Sequence, residues 1–244
     1  MTFLAYFCEP IPQKGAVNIV RRKIYALLRR AVPSIREQHR LDSLIGPIGY
    51  WKEIQAYQLK FLVRMGMKPH QSLLDIGCGP LSGRLAFIRY LDSGKYFGLD
   101  VNGDSIVEAH KQVQKHGLSL KKPTLICCSD FGREALSGRH FDFVWASQIL
   151  YHLTEDQIRS LLSQLGRCMT ERSRFFGDII GHHHHVKPNS HWRGFSFHLH
   201  DSATLSKMAD TFGLRISTLG QIAEFGYPNS LGLKTNEMVE IIKK

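Results

Sequence analysis

The stretch Ser72-Leu73-Leu74-Asp75-Ile76-Gly77-Cys78-Gly79-Pro80-Leu81-Ser82-Gly83 carries the chain's most chemically suggestive pattern: an apolar run, a glycine turn and the start of a helix. Gly77 and Gly79 lack Cβ atoms, so the backbone can turn sharply and lie against a ligand. A helix opening at Ser82 would aim unpaired N–H groups at the same point. After the next apolar run, Tyr96-Phe97-Gly98-Leu99, comes Asp100. A carboxylate at that strand end, one βαβ unit beyond the turn, stands where two ribose hydroxyls can share it as acceptor. Together these residues predict a pocket for a ligand that carries adenosine.

The loop is not a dinucleotide fingerprint. That pattern reads G-x-G-x-x-G, whereas here Leu81 stands at the third glycine position and Gly83 comes further on. Asp75, beside the loop, would repel a pyrophosphate but suits the ammonium of an amino-acid tail, met directly or through water. Two further segments follow at strand ends: Cys128-Ser129-Asp130-Phe131, and Phe141-Asp142-Phe143-Val144-Trp145-Ala146-Ser147-Gln148-Ile149-Leu150-Tyr151-His152-Leu153. Over residues 72–153, the order and spacing of these four segments resemble those of the class I S-adenosylmethionine-dependent methyltransferases. The resemblance implies S-adenosyl-L-methionine as cofactor, held by Asp75, Gly77, Cys78, Gly79, Asp100, Val101, Asp130, Phe131 and Ser147. Asp130 would accept from the adenine amino group, and Phe131 would lie beside the ring. Plainer readings stand next to these, since Asp130 in Ser-Asp-Phe-Gly suits a turn cap and Cys78 suits a small space-filler.

Methyl transfer from a sulfonium needs an aligned acceptor and, for a hydroxyl, a base to remove its proton. His152 is the candidate base, because it follows the fourth strand where many members of the family place a histidine; a structural hydrogen bond is the competing role. Gly181-His182-His183-His184-His185, after the fifth strand, is internal and borders the same edge. Four successive histidines cannot all face one ion from a helix or strand, and no acidic partner stands at a fixed short spacing, so no metal is expected. In Ser196-Phe197-His198-Leu199-His200, alternation sets His198 and His200 on one face.

The elements that must position these residues follow from periodicity. Strands are expected near 72–77, 95–100, 123–128, 141–146, 173–180, 214–220 and 237–243, and a helix over 50–66. Ser105 with Glu108 and Thr154 with Gln157 read as capping boxes, and Asp201 reads as a further cap. The turn-rich Phe225-Gly226-Tyr227-Pro228-Asn229-Ser230 is too short for a parallel crossover, so the last strand must run antiparallel. The fold class is therefore α/β: a Rossmann-like, seven-stranded doubly wound sheet with its last strand antiparallel and an N-terminal helical extension. The resemblance implies the strand order 3-2-1-4-5-7-6.

The 244-residue chain has room for one such domain over 46–244 and a basic helical extension over 1–45. In that extension Lys14, Arg21, Arg22, Lys23, Arg29 and Arg30 accompany Val17, Val20, Ile24, Leu27 and Leu28 at helical spacing. This carries much of the net charge of +11 and suggests a lid, an anionic-membrane contact or a nucleic-acid contact. No run of signal-peptide type is present, and the five cysteines, without C-x-x-C spacing, fit reduced thiols; the expected compartment is the cytoplasm, with peripheral membrane contact through the basic helix as an added expectation. The leading reading is methylation of a small-molecule or glycan hydroxyl, since Gly46-Pro47-Ile48-Gly49-Tyr50-Trp51 with the loop is similar to bacterial stand-alone methyltransferases of that kind. RNA methylation is an alternative, weakened because Ala146-Ser147-Gln148-Ile149 lacks the Asn/Asp-Pro-Pro-Tyr type of sequence. A non-catalytic, membrane-associated binding protein with the same fold is the other.

Overall fold

Seven apolar segments bounded by turn residues become strands: β1 (Leu73–Ile76), β2 (Tyr96–Asp100), β3 (Thr124–Cys127), β4 (Phe143–Ala146), β5 (Arg174–Ile179), β6 (Leu214–Gln221) and β7 (Glu237–Lys243). This computed structural model describes residues 50–180, 191–192, 195–231 and 233–244, with residues 32, 33 and 36. Apart from residues 32, 33 and 36, the expected basic extension lies outside the described residues, as do the Gly46–Gly49 linker and the His182–His185 tract. The strands form one sheet in the order 3-2-1-4-5-7-6. β1 to β5 are parallel, and β7 lies antiparallel between β5 and β6. Every residue of β1 and β4 is buried, as central strands covered on both faces require.

Alternation along those strands feeds two cores. Leu73, Phe143, Trp145 and Phe176 meet the apolar faces of α1 (Trp51–Arg64), α2 (Leu85–Tyr90) and α3 (Gly103–Lys115). Leu74, Ile76, Val144 and Phe175 meet α4 (Glu155–Cys168) and α5 (Ser202–Asp210) on the other face. Phe61 of α1 anchors the first core, with ring centroids 5.6 Å from Trp145 and 5.2 Å from Phe176. Full burial of such a side chain contributes about 1.5–3 kcal/mol, which fixes α1 over the crevice end of the sheet.

Two of the expected caps form. Thr154 and Gln157 make the reciprocal capping box of α4, and the Asp201 carboxylate accepts from the Ala203 and Thr204 amides at the start of α5. Ser105 is not a cap, contrary to expectation. Asn102 takes that position, because its extended backbone lets its side chain accept from the Asp104 and Ser105 amides and leaves Ser105 inside the first turn of α3.

Nor does a helix open at Ser82: α2 begins at Leu85, after a turn through Leu81. Leu81 has φ 63°, a left-handed conformation that stops a helix from starting there. That conformation costs a residue with a Cβ roughly 1–2 kcal/mol, and complete burial of the leucine side chain, worth about 1.5–3 kcal/mol, offsets it. A short antiparallel ribbon, His191–Trp192 with Phe195–Ser196, precedes α5 and had no counterpart in the periodicity.

Candidate active site

The carboxyl ends of β1, β2 and β4 open into a cavity of about 620 Å³, within the range typical of small-molecule sites. Its floor is the turn after β1. Gly77 has φ +74°, and a Cβ there would stand 2.1 Å from Ile149 Cδ1, so only glycine lets this turn close against the loop after β4. Cys78 lines the cavity and packs against β2: its sulfur would lie 2.9 Å from a Cβ added at Gly98.

Asp100 is fixed by the chain on either side of it. The Gly79 amide donates to Oδ2 at 2.9 Å and the Asn102 amide to Oδ1 at 2.8 Å. Burial pushes its carboxyl above the usual range, while those two amides pull it back. The carboxylate remains half-buried on the cavity wall, beside Val101 and Asn102. Such a preset acceptor at the end of β2 fits a ribose.

The other two acidic residues are turned elsewhere. Asp75 is completely buried and does not line the cavity; it meets Arg84 Nε at 2.9 Å and accepts from the Tyr96 hydroxyl at 2.7 Å. Burial raises its carboxyl, against the pull of the Arg84 guanidinium and the Tyr96 bond. Direct contact between Asp75 and a cationic tail is therefore corrected: Arg84, itself bonded to Gln58, occupies that end of the cavity. Asp130 caps a turn, its oxygens accepting from the Gly132 amide at 3.0 Å and the Glu134 amide at 3.2 Å. Although slight burial pushes its carboxyl up, the Glu134 and Gly132 amides bring it below the usual range. It too is absent from the cavity wall, whereas Phe131 and Cys128 are part of it.

At the far end, Ser147, Gln148, Ile149, Tyr151 and His152 line the wall after β4. The His152 Nδ1 lies 3.2 Å from the Ser196 carbonyl oxygen. A carbonyl only accepts, so Nδ1 carries the proton and Nε2 the lone pair. Burial lowers the His152 pKa, the Ser196 carbonyl partly opposes this, and His198 lowers it further. Its ring packs against Tyr151, at 4.6 Å, and Phe197, at 5.0 Å, which stack on each other at 5.7 Å. His198 and His200 do share a face, with ring centroids 6.4 Å apart. His200 is structural, since Nε2 reaches the Leu150 and Leu153 carbonyl oxygens and ties its segment to the loop after β4.

Several lining residues escaped sequence reasoning. Gln58 interrupts the apolar stripe of α1 four residues after Ile54, a signal that was present. Gln148 had none. Its φ of 60° is held by Asp178 of β5, which accepts from its amide at 2.6 Å, while its side chain donates to the Tyr227 hydroxyl at 2.8 Å. Among the described residues no group of three or more His, Cys, Asp or Glu is gathered as metal ligands would be.

Comparison with known proteins agrees with this geometry. Residues 74–175 match the family model described as a methyltransferase domain. An uncharacterised methyltransferase of Schizosaccharomyces pombe is 26% identical over 129 residues, covering 50% of this chain and 44% of that protein. The chain thus spans less than half the length of this curated relative. Magnesium protoporphyrin IX methyltransferase from Synechocystis PCC 6803, solved with bound S-adenosylmethionine, shares the fold with TM-score 0.57 at 16% identity, over 90% of this chain and 97% of that one. The CcbJ methyltransferase of Streptomyces caelestis shares it with TM-score 0.61 at 10% identity, over 81% and 91%. The glycine turn at β1, the oriented carboxylate at the end of β2 and the matched family model together identify residues 74–175 as a methyltransferase domain, in a chain that shares the fold of solved S-adenosylmethionine-dependent methyltransferases.

Proposed function

We propose that the protein methylates a hydroxyl of a small molecule or glycan, with S-adenosyl-L-methionine as donor. The cofactor supplies an electrophilic methyl group on a sulfonium. In this reading Asp100 accepts the ribose hydroxyls, the Gly77–Gly79 backbone with Cys78 lies along the nucleoside, and Val101 and Phe131 flank the adenine. Ser147 borders the amino-acid end, where Gln58 and the Asp75-paired Arg84 take the place first given to Asp75 alone. Asp130 serves the site indirectly, by setting the turn that carries Phe131.

The observation that carries the hydroxyl reading is His152. Its Nδ1 proton is committed to the Ser196 carbonyl, so Nε2 is the ring's proton acceptor, and its lowered pKa keeps it neutral near pH 7. A neutral imidazole on the cavity wall removes a hydroxyl proton as the methyl is transferred. The aromatic ring of Phe197 and the side chains of Leu153 and Leu233 give the same wall an apolar character that suits a compact organic acceptor. The magnesium protoporphyrin IX methyltransferase, named for a small-molecule acceptor, is consistent with that choice.

The test is radiolabelled methyl transfer into fractionated host extract. Label is expected in small-molecule or glycan fractions, reduced by roughly 10²–10⁴ in His152→Ala. Because burial depresses the His152 pKa, the acid limb of the rate profile should fall below the ordinary histidine value of 6.5, with rate lost as pH drops through it. Label in RNA or protein, or a His152→Ala rate equal to wild type, would overturn the assignment.

A further inference from the structure

The edge of the sheet opposite the crevice carries a different chemistry. The loops leading into β1, β2, β3 and β4 are bound into one rim: the Leu73 amide donates to the Lys95 carbonyl at 2.9 Å, Asp92 to Pro69 at 2.8 Å, Gly94 to Lys121 at 2.7 Å and Phe143 to Ser72 at 3.0 Å. Ser93 Oγ adds a bond to the Leu120 carbonyl at 2.9 Å. This rim brings together Lys68, Arg89, Lys95, Lys115, Lys122 and Arg139. Among the described residues none of the six forms a salt bridge. Its acids are fewer. Asp92 is exposed, but the Asp142 carboxylate is occupied by the Ser72 amide and hydroxyl at 2.8 and 2.9 Å.

Helix dipoles account for Arg89 and Lys115, which stand in the last turns of α2 and α3. They do not account for Lys68, Lys95 and Lys122, which lie in loops. Nor do they account for Leu120. Lys121 folds back so that its Nζ donates to the Leu91 carbonyl at 2.7 Å, and Leu120 is left 85% exposed at the apex of the turn, beside Lys122. An apolar side chain projecting from a ring of cations matches a surface that is anionic outside and apolar just beneath. A nucleic-acid face would instead present aromatic rings for stacking. Two aromatics near the rim are already engaged: Tyr90 is half-buried with its hydroxyl bonded to the Met67 carbonyl at 2.9 Å, and buried Phe97 lies under the Arg139 guanidinium at 5.3 Å.

We infer that this rim docks the protein on an anionic phospholipid surface, with Lys68, Lys95, Lys115 and Lys122 on headgroup phosphates and Leu120 between the headgroups. The crevice, at the opposite ends of the same strands, then faces the aqueous phase, and acceptor enters from solution. The contact is weak and reversible, since it rests on a few cations and a single leucine.

Cosedimentation of the full chain with vesicles tests this. Binding is expected to phosphatidylcholine vesicles containing phosphatidylserine, not to phosphatidylcholine alone, and to weaken as salt rises. Each cation near such a surface contributes about fivefold in partitioning, so the double variant Lys95→Ala, Lys122→Ala should bind roughly twentyfold less, and Leu120→Ala should also bind less. Unchanged S-adenosylhomocysteine binding in these variants verifies that they are folded. Variants that sediment as well as wild type would place the contact elsewhere and overturn the proposal. So would a wild-type chain that ignores anionic vesicles while binding single-stranded RNA at the same salt.

Discussion

Asp75, Asp100 and Asp130 stand in or just after three adjacent parallel strands, yet only Asp100 faces the crevice. What separates them is the company each keeps. Arg84, nine positions after Asp75, is drawn inside with it and makes a buried pair whose Coulombic attraction opposes the desolvation of both ions. Asp130 is followed by a tight turn whose amides take both of its oxygens. For Asp100 the two amide donors leave the carboxylate edge on the wall. The Asp75–Arg84 pair predicts that Asp75→Ala, which strands a buried guanidinium, destabilises the fold by about 3–5 kcal/mol in urea unfolding. A loss under about 1 kcal/mol would mean that Arg84 finds water or another acceptor. The carboxylates were legible in the sequence by position; the direction of each was not, because it depends on partners such as Tyr96 that arrive from a neighbouring strand.

At the scale of elements, the signals that came through were local ones. Strand positions, the antiparallel end of the sheet and the Thr154 cap all depend on residues within a few positions of one another. Thr154→Ala should therefore cost about 1 kcal/mol of stability. Thermal unfolding reads this quantity, and an unchanged midpoint would show that the cap contributes nothing to the stability of α4. Where local and tertiary preferences conflict, the sequence misleads. Ser82 reads as a helix start, but Leu81 before it adopts a left-handed turn with its side chain fully buried, and the helix begins at Leu85. Ser105 reads as a cap but yields to Asn102, whose side chain reaches the same amides from the preceding loop. Gln148 is invisible to periodicity because its strained backbone is imposed from β5 by Asp178.

For the molecule as a whole, the parallel strands β1 to β4 separate two chemistries by their polarity. Strand ends that carry Asp100, Gly77 and the loop after β4 converge on the cavity, while the starts of the same strands gather cations and Leu120. Among the described residues no helix is long and apolar enough to cross a membrane. The two ends are chemically independent: variants at the rim should spare the cofactor, and variants at Asp100 should spare the rim.

The central claim is that an adenosyl donor is held by the oriented carboxylate at the end of β2. Isothermal titration with S-adenosylhomocysteine tests it most directly. Wild type is expected to bind with a single-site isotherm, and Asp100→Ala to bind roughly 10- to 100-fold more weakly, as the loss of charge-assisted hydrogen bonds worth about 1.5–3 kcal/mol requires. A wild-type chain that takes up no S-adenosylhomocysteine, or an Asp100→Ala variant that binds it with undiminished affinity, would contradict the account.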